Sequence, residues 1–99
     1  VYKRQPLSQA KNGISGQKIQ VGGIISNIKK IITRTGRPML FIDLEDLNDK
    51  IEVVAFPEIT EKNASVFREN AITFVIGKID HRNNVPKIIC EKIEEILED

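Results

Sequence analysis

The sequence predicts an all-β chain with one helix: five strands closed into a Greek-key barrel, the helix lying between strands 3 and 4. Three observations predict it. Apolar and polar residues alternate over 39–46 and again over 50–56, the period of a strand with one buried face. β-branched residues and the Gly22-Gly23 pair run through 18–34, where both disfavour a helix. Turn residues separate five such runs, and Pro57 opens the one stretch with helical spacing.

The elements follow in order. Residues 1–16 are polar, with Pro6, Gly13 and Gly16, and read as a linker or lead-in to a domain spanning 17–97. Lys18 to Arg34 carries Ile19, Val21, Ile24, Ile25, Ile28, Ile31 and Ile32. That is long for one strand, and Gly22-Gly23 marks a bulge or coil at which the strand bends and pairs on two sides. Thr35-Gly36-Arg37-Pro38 is a turn. From Met39 to Asp46, Leu40, Ile42 and Leu44 share one face, and Met39, Phe41, Asp43 and Glu45 the other. Asn48-Asp49 is a second turn, its side chains tolerant of left-handed backbone. The third strand, Lys50 to Phe56, sets Ile51, Val53 and Ala55 opposite Glu52 and Val54. Glu58 to Asn70 has helical spacing through Ile59, Ala64, Val66 and Phe67. Ala71 to Asp80 is the fourth strand, with a bulge at Gly77; His81-Arg82-Asn83-Asn84 is a polar turn; Val85 to about Ile93 is the fifth. The acidic end is a short helix or frayed. This β-β-β-α-β-β order matches the OB-fold. A three-stranded meander with a separate hairpin is the alternative, and it would leave a sheet half exposed.

Composition narrows the function. At 99 residues the chain builds one domain. No apolar stretch approaches the ~18 residues of a membrane span, and the first residues lack the apolar core of a signal peptide. The chain starts without Met, as expected of a processed protein or of a domain cut from a longer chain. Cys90 is alone, which excludes an internal disulfide and a zinc cluster; it reads as a small apolar strand residue, and a cytoplasmic setting fits. The near-zero net charge hides a split: Lys29, Lys30, Arg34 and Arg37 stand among 29–37 without an acid, while 91–99 is acidic.

Catalytic signals are missing. One His and one Cys cannot supply a nucleophilic triad, and Gly22-Gly23 fits no phosphate-loop pattern. Asp43, Glu45 and Asp46 lack the further oxygen donors of a metal loop. No enzyme activity, cofactor, metal or small-molecule substrate is expected of the chain. What remains is a binding face. In an OB-fold, ligands cross strands 2 and 3 between the loop joining strands 1 and 2 and the loop joining strands 4 and 5. Here those loops hold Lys29, Lys30, Arg34 and Arg37, and His81 to Asn84 followed by Lys87, and Phe41 lies between them. Cations beside an exposed ring are what a single strand of nucleic acid needs. The candidate nucleic-acid contacts are therefore Lys29, Lys30, Arg34, Arg37, Arg82 and Lys87 for phosphates, Phe41 for stacking and Met39 beside it. The Phe41 ring either stacks on a base or packs beneath a loop; its basic neighbours favour stacking. Glu52, on the neighbouring strand, is either a solvated carboxylate or an acceptor for a base amino group. Phe56, Phe67 and Phe74 read as core or strand-to-helix packing, and His81 as a surface hydrogen-bonding group.

A resemblance adds to this reading. Lys18-Ile19-Gln20-Val21-Gly22-Gly23-Ile24-Ile25, then Thr35-Gly36-Arg37-Pro38-Met39-Leu40-Phe41-Ile42-Asp43-Leu44-Glu45-Asp46, then Ile51-Glu52-Val53-Val54-Ala55-Phe56-Pro57, resemble the OB domain of the alpha subunit of bacterial DNA polymerase III. The resemblance spans roughly 16–97. More loosely, Phe41-Ile42-Asp43-Leu44 is similar to the anticodon-binding OB domains of class II aminoacyl-tRNA synthetases, in which the ring aligned with Phe41 stacks on a base and the side chain aligned with Glu52 reads a base edge. Where relatives place Gly after the Leu-Glu-Asp element, this chain has Asn48-Asp49-Lys50, and it has Glu45 where synthetases carry Arg. The resemblance implies a domain that holds single-stranded template DNA near a polymerase active site built by other domains, with replisome proteins as partners through the parent chain. Protein docking within the replisome and tRNA anticodon binding are the alternatives.

Overall fold

The computed structural model describes residues 7, 11–82 and 84–96, and of Arg82 the backbone alone. The strands are β1 (Lys18–Ile32), β2 (Pro38–Glu45), β3 (Lys50–Ala55), β4 (Ile72–Arg82) and β5 (Val85–Glu95); the helix α1 (Pro57–Lys62) lies between β3 and β4. They close into a barrel in the order β1-β2-β3-β5-β4. All neighbours are antiparallel except β3 and β5, which run parallel. This is the OB-fold expected from the element order.

β1 makes closure possible. Its first half, Lys18 to Ile24, pairs with β4, and its second half, Ile24 to Ile32, pairs with β2. The sequence led us to expect the irregularity at Gly22-Gly23. The register shift falls instead between Ile25 and Asn27, leaving Ser26 as the extra residue. The glycine pair has another role: a Cβ at Gly23 would stand 2.6 Å from the Glu45 carbonyl oxygen, so a side chain there would push β2 off β1. Gly77 does the same between β4 and β5, where a Cβ would come within 2.2 Å of the Ile89 carbonyl. The bulge expected there is present, with Glu91 unpaired between Lys92 and Cys90.

Inward positions fill the barrel. Val21, Ile25, Ile42, Leu44, Val53, Val75, Ile79 and Ile88 are almost fully buried, so the alternation of β2 and β3 runs as expected. Each such side chain contributes roughly 1.5–3 kcal/mol by leaving water. Cys90 joins this core, and burial pushes its thiol pKa up to about 12, which leaves it an apolar filler and a poor nucleophile.

Three expectations are corrected. The helix stops at Lys62, well short of Asn70: Asn63 caps it by donating both its backbone N–H (3.1 Å) and its Nδ2 (3.0 Å) to the Ile59 carbonyl, and Val66 and Phe67 reach the core from turns. The His81–Asn84 turn is shorter than expected, because β4 runs on through His81 and Arg82, which pair with Pro86 and Val85. Asn84, in left-handed backbone at φ 62°, turns the chain, and Asn83 lies outside the described residues. Finally, the acidic stretch continues β5 to Glu95, neither helical nor frayed to that point; 97–99 lie outside the described residues.

The lead-in is anchored where it is described. Leu7 is fully buried in the core, and its N–H donates to Asp46 Oδ2 at 3.0 Å. Asp46 Oδ1 accepts from the N–H groups of Asn48 (2.9 Å) and Asp49 (2.8 Å). The β2–β3 turn is therefore built by a carboxylate, and neither Asn48 nor Asp49 adopts the left-handed backbone expected of it. The N–H of Leu7 first, then those of Asn48 and Asp49, hold the Asp46 carboxyl below its ordinary pKa against the opposing effect of desolvation.

Because the folded pKa of Asp46 lies below the unfolded one, its stabilisation is present above the unfolded value and fades as pH falls through the folded value. Asp46→Asn should cost about 1–3 kcal/mol at neutral pH and flatten the loss of stability below pH ~4. Urea unfolding at pH 7 and pH 3 measures both, and equal losses at the two pH values would remove the carboxylate from this role.

Candidate nucleic-acid interface

The β1–β2 hairpin carries the basic stretch. Its tip is a defined turn: Thr33 N–H donates to the Arg37 carbonyl and Gly36 N–H to the Thr33 carbonyl, both at 2.9 Å, with Gly36 at φ 81°. The Thr33 and Thr35 hydroxyls lie 3.1 Å apart, and Arg37 N–H reaches Thr33 Oγ1 at 3.2 Å. A Cβ at position 36 would meet open space, so the glycine serves the backbone angle alone.

Register sorts the cations. Directly paired residues share a face. Lys29 pairs with Phe41 and so shares its outward face, whereas Lys30 pairs with the inward Leu40 and leaves from the other side of the hairpin. Arg34 sits at the exposed tip. Lys29, Lys30 and Arg34 enter no ion pair among the described residues. Arg37 does: its Nη2 lies 2.7 Å from Glu61 Oε1 on α1, and its Nε 3.4 Å from Oε2. The hydrogen bond to Glu61 and its charge hold Arg37 above its ordinary pKa, and the same bond holds Glu61 below its own.

On the barrel wall, Met39 and Phe41 of β2 face outward, half-buried. Val54 of β3 pairs with Phe41 and faces the same way, yet is only 4% exposed. It floors a groove of about 130 Å³ lined by Met39, Phe41, Val54, Phe56, Asp80, Lys87 and Ile89. Lys87 is the hinge of its charge pattern. Its Nζ lies 2.7 Å from Glu52 Oε1, at an angle that makes the contact an ion pair and not an aligned hydrogen bond. The same Nζ lies 6.0 Å from the Phe41 ring centroid. Phe41, Glu52 and Lys87 thus form one cluster, with Glu52 and Lys87 neutralising each other.

The geometry therefore brings together Met39, Phe41, Glu52 and Lys87, with Lys29 across the strand pair. It sets Lys30 and Arg34 on the hairpin away from the groove and ties Arg37 to α1. The Arg82 side chain lies outside the described residues. His81 Nε2–H donates to the Gly13 carbonyl at 2.8 Å, fastening the lead-in to β4, in keeping with a surface hydrogen-bonding group. Phe56 was read as packing; it is 43% exposed and lines the groove wall. The signal was legible: Phe56 stands two residues past Val54, and a strand's period puts both on one face.

This barrel and face can be compared with known proteins. The model of the family described as OB-fold nucleic acid binding domain matches residues 19–96. The chain belongs to that family. DNA polymerase III subunit alpha of Bacillus subtilis is 36% identical over 93 residues, 94% of this chain and 8% of that protein. The chain thus spans about a twelfth of the length of this relative. Among solved structures, asparaginyl-tRNA synthetase from Pyrococcus horikoshii superposes with a TM-score of 0.78 at 16% identity, covering 95% of this chain and 23% of that one. A replication protein A heterotrimer bound to ssDNA superposes with a TM-score of 0.66 at 19% identity, covering 84% of this chain and 59% of the other. At these identities both structures establish the fold. The chain is an OB-fold nucleic-acid-binding domain similar to a segment of the polymerase III alpha subunit. No group of metal-ligating side chains is present among its described residues, and no helix there is long and apolar enough to cross a membrane.

The Arg37–Glu61 pair is exposed, and such pairs contribute little to stability. Glu61→Gln should lower the urea midpoint little if at all. A larger loss would make the pair a structural clasp between hairpin and helix, with Arg37 withdrawn from ligand contact.

Proposed function

We propose that this chain is the OB domain of a replicative DNA polymerase alpha subunit and that it holds single-stranded template DNA across the β2–β3 face. The observation that carries the proposal is the coincidence of an outward apolar groove walled by Phe41 with a cationic hairpin on the adjacent strand pair. Phosphates meet Lys29 on the groove side of the hairpin and Arg34 at its tip, and Lys30, on the hairpin's other side, meets a strand that wraps round that tip. Arg37 joins them by exchanging Glu61 for phosphate, a cheap exchange in open solvent. Bases lie on Phe41 with Met39 beside it, where the mutual neutralisation of Lys87 and Glu52 removes the repulsion a bare carboxylate would exert on a nucleotide. Arg82, at the end of β4, belongs to the phosphate set. Similarity to the Bacillus subtilis alpha subunit supports the choice of DNA replication over translation.

The domain itself performs no chemistry. Catalytic carboxylates of the parent polymerase belong to other domains, which also engage the replisome partners, all in the cytoplasm. A single weak site suits this arrangement, because tethering to a polymerase already on DNA raises the local concentration of strand.

Fluorescence anisotropy of labelled oligo-dT against the chain, at two salt concentrations, tests the proposal. Phe41→Ala should weaken binding about tenfold, the ~1.4 kcal/mol of one stacked base. Arg34→Ala should reduce the slope of log affinity against log salt by roughly 0.7, the value per phosphate contact for single strands. Tighter binding to a structured RNA loop than to oligo-dT would favour anticodon recognition. Absence of binding at low salt and high protein concentration would favour protein docking.

A further inference from the structure

The groove beside Phe41 does not end there. A second cavity of about 360 Å³ opens on the other side of Phe56, against Lys78, Asp80, Ile89 and Glu91, and the two share Phe56, Asp80 and Ile89. They form one path across the outer wall from β2 over β3 to β5 and β4. Phe56 stands at its middle, 43% exposed, in extended backbone at φ −68° and ψ 163°. It follows Val54, the cross-strand partner of Phe41, by two residues. Strand spacing of ~4.8 Å and a rise of ~3.3 Å per residue put the Cα atoms of Phe41 and Phe56 about 8 Å apart. That distance is about two base steps of ~3.4 Å, or one step of a stretched strand.

We infer that Phe56 is a second stacking platform, seating the base next to the one on Phe41, so that the single strand crosses β3 and continues over β5 toward β4. This rests on the proposed single-strand site at Phe41. Phe56 is held for the task by its chain neighbours. Pro57 restricts the backbone that precedes it, and the Phe56 carbonyl, in the same peptide, accepts the N–H groups of Ile59 (3.0 Å) and Thr60 (2.9 Å). The ring therefore leaves a clamped helix start, with little backbone freedom to lose on binding. Charge on this path suits bases better than phosphates. Glu91 sits between Lys18 at 3.6 Å and Lys78 at 3.8 Å, Lys87 is matched by Glu52, and Asp80 lines both cavities, so three carboxylates offset three ammonium groups and neither sign dominates beside the ring. The phosphates are left to the hairpin, and the path over Phe56 selects the strand's flat apolar faces.

The chain has no Trp, so a tryptophan introduced at either ring is the sole indole reporter. Phe41→Trp and Phe56→Trp are titrated separately with oligo-dT of about 4 and 12 nucleotides, which bracket the site of one OB domain. The inference expects both indoles to be quenched on binding. It also expects Phe56→Leu, which keeps apolar bulk without a ring, to weaken the longer oligonucleotide about tenfold with an unchanged thermal midpoint. Quenching at position 41 with none at position 56, and wild-type affinity in Phe56→Leu, would overturn the second platform and leave the first site standing. Quenching at neither position would overturn the site on which the inference rests.

Discussion

Closure of the barrel is the constraint on which everything else depends. A five-stranded sheet has two edges, and β1 removes both by pairing with β4 through its first half and β2 through its second. Once the ring is shut, the period of two along each strand decides the fate of every side chain: inward into a core with no room for a charge, or outward to whatever the wall meets. The tight crossings depend on glycine, since a Cβ at Gly23 or Gly77 would strike the neighbouring backbone. Binding properties then follow as a by-product of alternation. Leu40, Ile42 and Leu44 fill the barrel, and Met39 and Phe41 are thereby committed to the outside.

An outward ring is neither stable nor useful alone, and the structure surrounds it with compensations. Val54 and Ile89 give the groove an apolar floor, Lys87 covers part of the Phe41 ring, and Glu52 holds Lys87. The hairpin cations are kept apart from this neutral wall, with Lys29 the nearest by register. A nucleic acid strand has the same division, charged along its backbone and nearly neutral on its base faces, and under the proposed function hairpin and wall meet different parts of that one ligand. Asp46 secures the opposite end of β2, where its carboxylate ties the β2–β3 turn to Leu7. The strand that presents Phe41 is thus pinned at both ends.

Much of this was legible in the residues, and the failures have physical causes. Strand faces were readable because alternation is a local property; Leu40, Ile42, Leu44, Ile51 and Val53 are buried as their spacing implies. The helix was overread because Val66 and Phe67 do sit at helical spacing, yet the backbone leaves helical geometry at Asn63, whose side-chain amide and N–H both close on the Ile59 carbonyl at the helix end. Pairing between distant charges was invisible. Arg37 and Glu61 lie 24 positions apart, and nothing local announces their contact. Phe56 was mistaken for packing because it precedes a helix start, although its two-residue offset from Val54 already placed it on the wall. The anchoring of Leu7 by Asp46, 39 positions away, also needed the three-dimensional fold.

Single-stranded nucleic acid is proposed to lie on the wall formed by β2, β3 and β5 beside the basic hairpin. Backbone amide shifts of the isotope-labelled chain, followed during titration with oligo-dT, locate the contact residue by residue. The largest changes should fall on Lys29 to Met39, Phe41, Val54, Phe56 and Ile89, while Ile24, Ile72 and Phe74 on the far wall stay still. Changes centred on that far wall, or none at saturating oligonucleotide, would contradict that placement.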